Sequence, residues 1–97
     1  MIINREQLIF VINTYGVKPK EDIALEELSE LQKAILKHRR YENKETEQAI
    51  IDEIADVQIM LEQLKIIYSC HKEVEKRIDY KIEWQIKRIK KKYNIVD

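Results

Sequence analysis

Ninety-seven residues, 44% apolar and 37% charged with one Gly and one Pro, describe a chain of long helices and exclude both a β-sandwich and a disordered tail. That length sets a single domain over residues 1–97 with a thin core, burying roughly 65% of the unfolded surface. A net charge of zero excludes a general affinity for nucleic acid, and the lone Cys70 excludes an internal disulfide and fits a reducing compartment.

No run approaches the ~20 apolar residues of a membrane span. The N-terminus lacks the charged lead and apolar core of a signal peptide. The expectation is a cytoplasmic protein with neither a membrane nor a nucleic acid as partner.

In chain order, Asn4 caps a first helix, with Gln7 at the capping-box position. Leu8, Val11, Ile12 and Tyr15 form its buried face, and Gly16 stops it. Val17–Lys20 reads as the connection, because Pro19 forbids a continuous helix there. The second helix runs from about Glu21 to Arg40. Its apolar stripe is Ala24, Leu28, Leu31 and Ile35, with Glu27 and Glu30 beside it in a row with Ile23 and Ala34. Lys37, His38, Arg39 and Arg40 at its end complement the helix dipole. The sharper reading of that cluster is that Lys37 or Arg40 reaches a phosphate. His38 reads as solvated.

Tyr41–Glu45 is a polar loop, and Thr46 is the expected N-cap of a third helix ending near Tyr68. Ile50, Ile54, Val57 and Leu61 form its stripe, with Glu53 and Asp56 beside it in a row with Ala49 and Met60. Leu64 and Ile67 continue its apolar surface as core or subunit interface. Ser69-Cys70-His71 is the weakest boundary, either a new cap or a bend. The fourth helix covers about Lys72 to Tyr93, with an apolar row of Val74, Ile78, Ile82, Ile86 and Ile89. Arg77, Lys81, Trp84 and Arg88 lie beside that row on one strip. The strip is either a solvated basic face or a row of phosphate-binding cations, and Lys90–Lys92 is a solvated helix end.

Two stretches are versions of one another, Ile23-Ala24-Leu25-Glu26-Glu27-Leu28-Ser29-Glu30-Leu31 and Ala49-Ile50-Ile51-Asp52-Glu53-Ile54-Ala55-Asp56-Val57. Separated by one loop, they predict antiparallel neighbours that present Glu27, Glu30, Glu53 and Asp56 to a shared groove. Four carboxylates at close range repel, and burying them unpaired is expensive. A hard divalent cation such as Mg2+ removes that penalty through oxygen ligands. Residues 21–62 carry twelve acids against five bases, net −7, whereas residues 72–92 carry nine bases against four acids, net +5. An acidic middle and a basic last helix suit a phosphate compound held through metal, or the two faces simply pair. No Gly-rich phosphate loop and no zinc spacing is present.

Glu26-Glu27-x-x-Glu30 followed by Glu53-x-x-Asp56 resembles the metal-binding signature of the MazG-type, all-α nucleoside triphosphate pyrophosphohydrolases. The stretch from Asp52 to Leu64 is similar to small phage and bacterial members, and the resemblance covers about Glu21 to Arg88. It implies an antiparallel bundle of about four helices, completed by homo-oligomerisation into a homodimer or homotetramer. It also implies cleavage of a (d)NTP to the monophosphate and pyrophosphate with Mg2+, or Mn2+ in its place. Glu27, Glu30, Glu53 and Asp56 would be the metal ligands, with Glu27 or Glu53 as general base. Arg77, Lys81 and Arg88, together with Lys37, would hold the phosphates. Trp84 stands where many relatives carry Arg. The competing expectation is a non-catalytic helical adaptor, regulator or oligomerisation module, with the acids as solvated helix faces.

Overall fold

The computed structural model describes residues 3–96, and all regular structure among them is helical. The helices are α1 (Arg5–Tyr15), α2 (Val17–Arg40), α3 (Lys44–Ile67) and α4 (His71–Lys92). The Asn4 side chain accepts the Gln7 N–H at 3.2 Å and starts α1, whose Leu8 and Ile12 are buried. Gly16 closes α1 by donating its N–H to the Ile12 carbonyl at 2.7 Å. Its φ of 91° and ψ of 164° lie where a Cβ is strained, so the turn requires glycine.

Pro19 does not break the chain as the sequence suggests. The connection is Gly16 alone, and Val17–Lys20 is already the first turn of α2. The first N–H groups of a helix have no intrahelical acceptor, so a proline in that turn forfeits no hydrogen bond. Its rigid φ suits the start of a helix as well as the end of one.

The α2–α3 turn is built on Thr46, in a role different from the expected N-cap. Asn43 is the N-cap, accepting the Thr46 N–H at 2.9 Å, while Thr46 Oγ1 accepts the Asn43 N–H at 3.2 Å, a reciprocal capping box. His38 Nδ1 lies 2.7 Å from the same hydroxyl, so His38 is half-buried and tethered across the turn, not solvated. At the far end of the hairpin the Tyr68 hydroxyl donates to Glu21 Oε2. That hydrogen bond, and then the Glu21 charge, hold the phenol above its ordinary pKa. The antiparallel pair is thus pinned at both ends.

Helices α2 and α3 pack along their length, and α1 lies against both. Their seam follows the expected apolar stripes only in part. Ala24, Leu31, Ile50 and Val57 turn inward, but Leu28, Ile35, Ile54 and Leu61 stay 40–44% exposed. The seam is rotated towards the acidic rows, so Ile23, Glu27 and Ala34 on α2 and Ala49, Glu53 and Met60 on α3 are half-buried. Small residues at 24, 34 and 49 let the backbones approach there, whereas the branched side chains would hold them apart.

The Ser69–Cys70 boundary is a break. Ser69 adopts a φ of 50°, its N–H reaches the Ile66 carbonyl and the Cys70 N–H reaches the Lys65 carbonyl, closing α3. Helix α4 then approaches only α3. Val74 is half-covered, but from Asp79 to Val96 every residue except Lys90 is exposed. The radius of gyration is 17.2 Å, against about 12.5 Å for a compact chain of this length. No helix among the described residues is long and apolar enough to cross a membrane.

Candidate metal centre

Glu27 enters the seam from the middle of α2. Glu53 and Asp56 enter it from α3, one turn apart on a single face. One carboxylate oxygen from each falls within 4.8 Å of the others. Glu27 and Glu53 are half-buried and Asp56 is exposed, so the cluster has a closed floor and an open rim. Glu53 Oε2 is buried without a hydrogen-bond partner. Such an atom is costly to leave unsatisfied.

The electrostatics follow from that crowding. Partial burial pushes the Glu27 carboxyl above its ordinary pKa, reinforced by the charges of Asp56 and Glu53, a hydrogen bond with Glu53, and the neighbouring Glu26. Without a cation, a proton held between Glu27 and Glu53 is the cheapest relief. A divalent ion offers the same relief and also gives the orphaned Glu53 oxygen a partner. The donor set is all oxygen, as Mg2+ and Mn2+ prefer, and the open rim leaves room for waters or a phosphate as the remaining ligands. The residues present therefore fit such an ion.

Glu30 lies apart from the three. It reaches Lys33 at 3.5 Å on the helix surface. Lys37 is exposed in the last turn of α2, ten residues and hence ~15 Å along the helix from Glu27. Arg77, Lys81 and Arg88 are exposed on α4, which makes no approach to α2. Arg77 stacks over the Tyr80 ring at 4.8 Å and Arg88 over Trp84 at 4.6 Å. Trp84 thus serves as a platform for a cation of the same strip. Within one chain, the acids assemble and the bases do not join them.

Sequence reasoning passed over Gln63 and Lys20. Gln63 is 2% exposed with Oε1 unpartnered, and Lys20 is buried with Nζ 4.7 Å from the Tyr15 ring centroid. Gln63 follows Asp56 and Met60 at helical spacing on α3, and that register was the available signal. No family model, curated protein or solved structure matches the chain.

Proposed function

We propose that the chain is a Mg2+-dependent nucleoside triphosphate pyrophosphohydrolase that works as a homodimer or homotetramer. The observation that carries this reading is the convergence of Glu27, Glu53 and Asp56 from two helices around a buried, unpartnered carboxylate oxygen. A merely solvated acidic face gives no reason for that oxygen to be buried. The resemblance of both acidic motifs to the MazG-type signature supplies the substrate class.

When bound, the ion would neutralise the triphosphate and lower the pKa of a ligated water. The chain's own contribution is charge and orientation. Glu53 and Asp56 hold the site from α3, and Glu27 closes it from α2. Glu27 or Glu53, whichever keeps a free oxygen, accepts the proton as water oxygen bonds to the α-phosphorus. The α–β anhydride bond breaks and its electron pair leaves with pyrophosphate. Arg77, Lys81, Arg88 and Lys37 are the cations available to hold the phosphates.

The exposure of the whole basic strip in a single chain favours a second reading, a non-catalytic helical oligomerisation or regulatory module. Two measurements separate them. Pyrophosphate release is assayed against the eight common NTPs and dNTPs with Mg2+, and the melting temperature is measured with Mg2+ and with EDTA. The enzyme reading expects release from at least one substrate and a metal-dependent rise in Tm. Neither effect would leave the regulatory module.

A further inference from the structure

We infer that one face of α4 binds single-stranded nucleic acid, its cations meeting the phosphates and its aromatic rings stacking with the bases. This goes beyond the hydrolase reading and does not rest on it.

Helical register makes the face. At ~100° per residue, Arg77, Tyr80, Lys81, Trp84, Arg88 and Lys91 fall within about 100° of arc. All six are exposed. Asp79 and Glu83, the acids of this part of the helix, fall outside that arc, and Glu83 is engaged by Lys87 at 3.4 Å. Among the described residues none of Arg77, Lys81, Arg88 and Lys91 forms an ion pair. The cations lie on rings instead. Arg77 covers Tyr80, Arg88 covers Trp84, and just beyond them Lys92 Nζ is 5.4 Å from the Tyr93 ring centroid. Tyr80, Trp84 and Tyr93 are 49–63% exposed, so each ring keeps surface on which a base can stack. An open groove of about 920 Å³ runs between Trp84 and Tyr93, past Arg88, Lys91 and Lys92, and no acid lines it.

Residues 77–92 carry seven bases against two acids, net +5. The zero net charge of the whole chain conceals this surface, because most of the acids stand on α2 and α3. The strip from Arg77 to Lys91 is about 21 Å long at ~1.5 Å per residue. That length suits about six phosphates at the ~3.4 Å spacing of a stacked strand, twice the run of a triphosphate. A duplex keeps its base faces inside and engages the cations alone. An anionic lipid surface is a poorer match. It would take up the isoleucines at 78, 82, 86 and 89, and their row points more than a third of a turn away from the strip.

The test measures fluorescence anisotropy with the full-length chain in EDTA, so the metal centre and the hydrolase reading play no part. The probes are labelled oligothymidylate and oligouridylate of about 20 nucleotides, and a labelled duplex of the same length. Wild type should bind the single strands about tenfold more tightly than the duplex, and the tighter of the two single strands identifies the preferred sugar. The logarithm of affinity should fall against the logarithm of salt with a slope of about −3, four phosphates at ~0.7 each. Trp84→Ala should weaken binding by about tenfold, and Trp84→Phe should restore most of it. Lys91→Glu should weaken binding and reduce the salt slope by about one. Circular dichroism should show all three variants as helical as wild type, since both positions are exposed. Absence of single-strand binding by wild type would overturn the inference. So would wild-type affinity in Trp84→Ala, or equal competition by inorganic polyphosphate, because either would reduce the face to unspecific charge. Retention on anionic lipid vesicles without oligonucleotide binding would assign the helix to a membrane surface instead.

Discussion

Glu27 of α2 and Glu53 of α3 share the seam of the helical hairpin, where partial burial and then the charges of Asp56 and Glu53 raise Glu27's carboxyl above its ordinary pKa. Two acids in that position work against the fold that contains them. The expense is intelligible if the seam is also where a cation is received.

Glu53→Gln tests that conflict. The substitution keeps shape and removes a charge, so without metal the Tm should stay level or rise. Pyrophosphate release with Mg2+ should fall by on the order of a hundredfold or more, the scale of a lost electrostatic catalytic group. Full activity in the variant would remove Glu53 from the site.

Glu27 gives the fold a specific pH dependence. Its folded pKa lies above the ordinary value of 4.5, so the folded state holds that proton more tightly than the unfolded chain does. The stabilisation is complete below pH 4.5 and is lost as pH rises through the folded pKa. Relative to Glu27→Gln, metal-free wild type should therefore lose Tm as pH rises above 4.5 through the folded pKa, other carboxylates cancelling in the comparison. Mg2+ competes with the same proton, so its stabilisation of wild type should grow over that range. A difference between the two proteins that ignores pH would contradict the crowding.

The basic strip predicts a contrast between two lysines of one helix. Lys81→Ala should lower turnover by about tenfold or more if it reaches a phosphate, while Lys91→Ala, in the basic tail, should leave it near wild type. Circular dichroism should show both variants fully helical, as both positions are exposed. Equal rates for the two would place the strip outside the site.

The α2–α3 turn makes a stability prediction independent of function. Thr46→Val removes the hydroxyl that serves the Asn43 N–H and His38 Nδ1 while preserving shape. The loss should be about 1–2 kcal/mol, and each kcal/mol corresponds to roughly 4–8 °C in Tm for a domain of this size. Thr46→Ser should retain most of the wild-type Tm.

The sequence by itself determined that the chain is helical, where Asn4 starts and Gly16 ends the first helix, and that Glu27, Glu53 and Asp56 lie on neighbouring antiparallel faces. Those are local matters. Hydrogen bonds between near neighbours and a 3.6-residue period carry them. Which of two adjacent rows turns inward is not local. The row of Leu28 and Ile35 and the row of Glu27 and Ala34 are one residue step apart, about 100° on the wheel, and apolarity favours the first. Only the packed pair shows that the seam falls between the two rows, with Ala24, Leu31, Ala34, Ile50 and Val57 turned inward and Leu28, Ile35, Ile54 and Leu61 left exposed. Pro19 likewise fits the start of a helix as well as a break, and the choice fell to Gly16, whose positive φ makes the turn in one residue. The separation of α4 from the acids was tertiary as well. Opposite charge makes the two surfaces compatible, but the geometry of the Ser69–Cys70 turn decides whether one chain can bring them together, and here it directs the helix away.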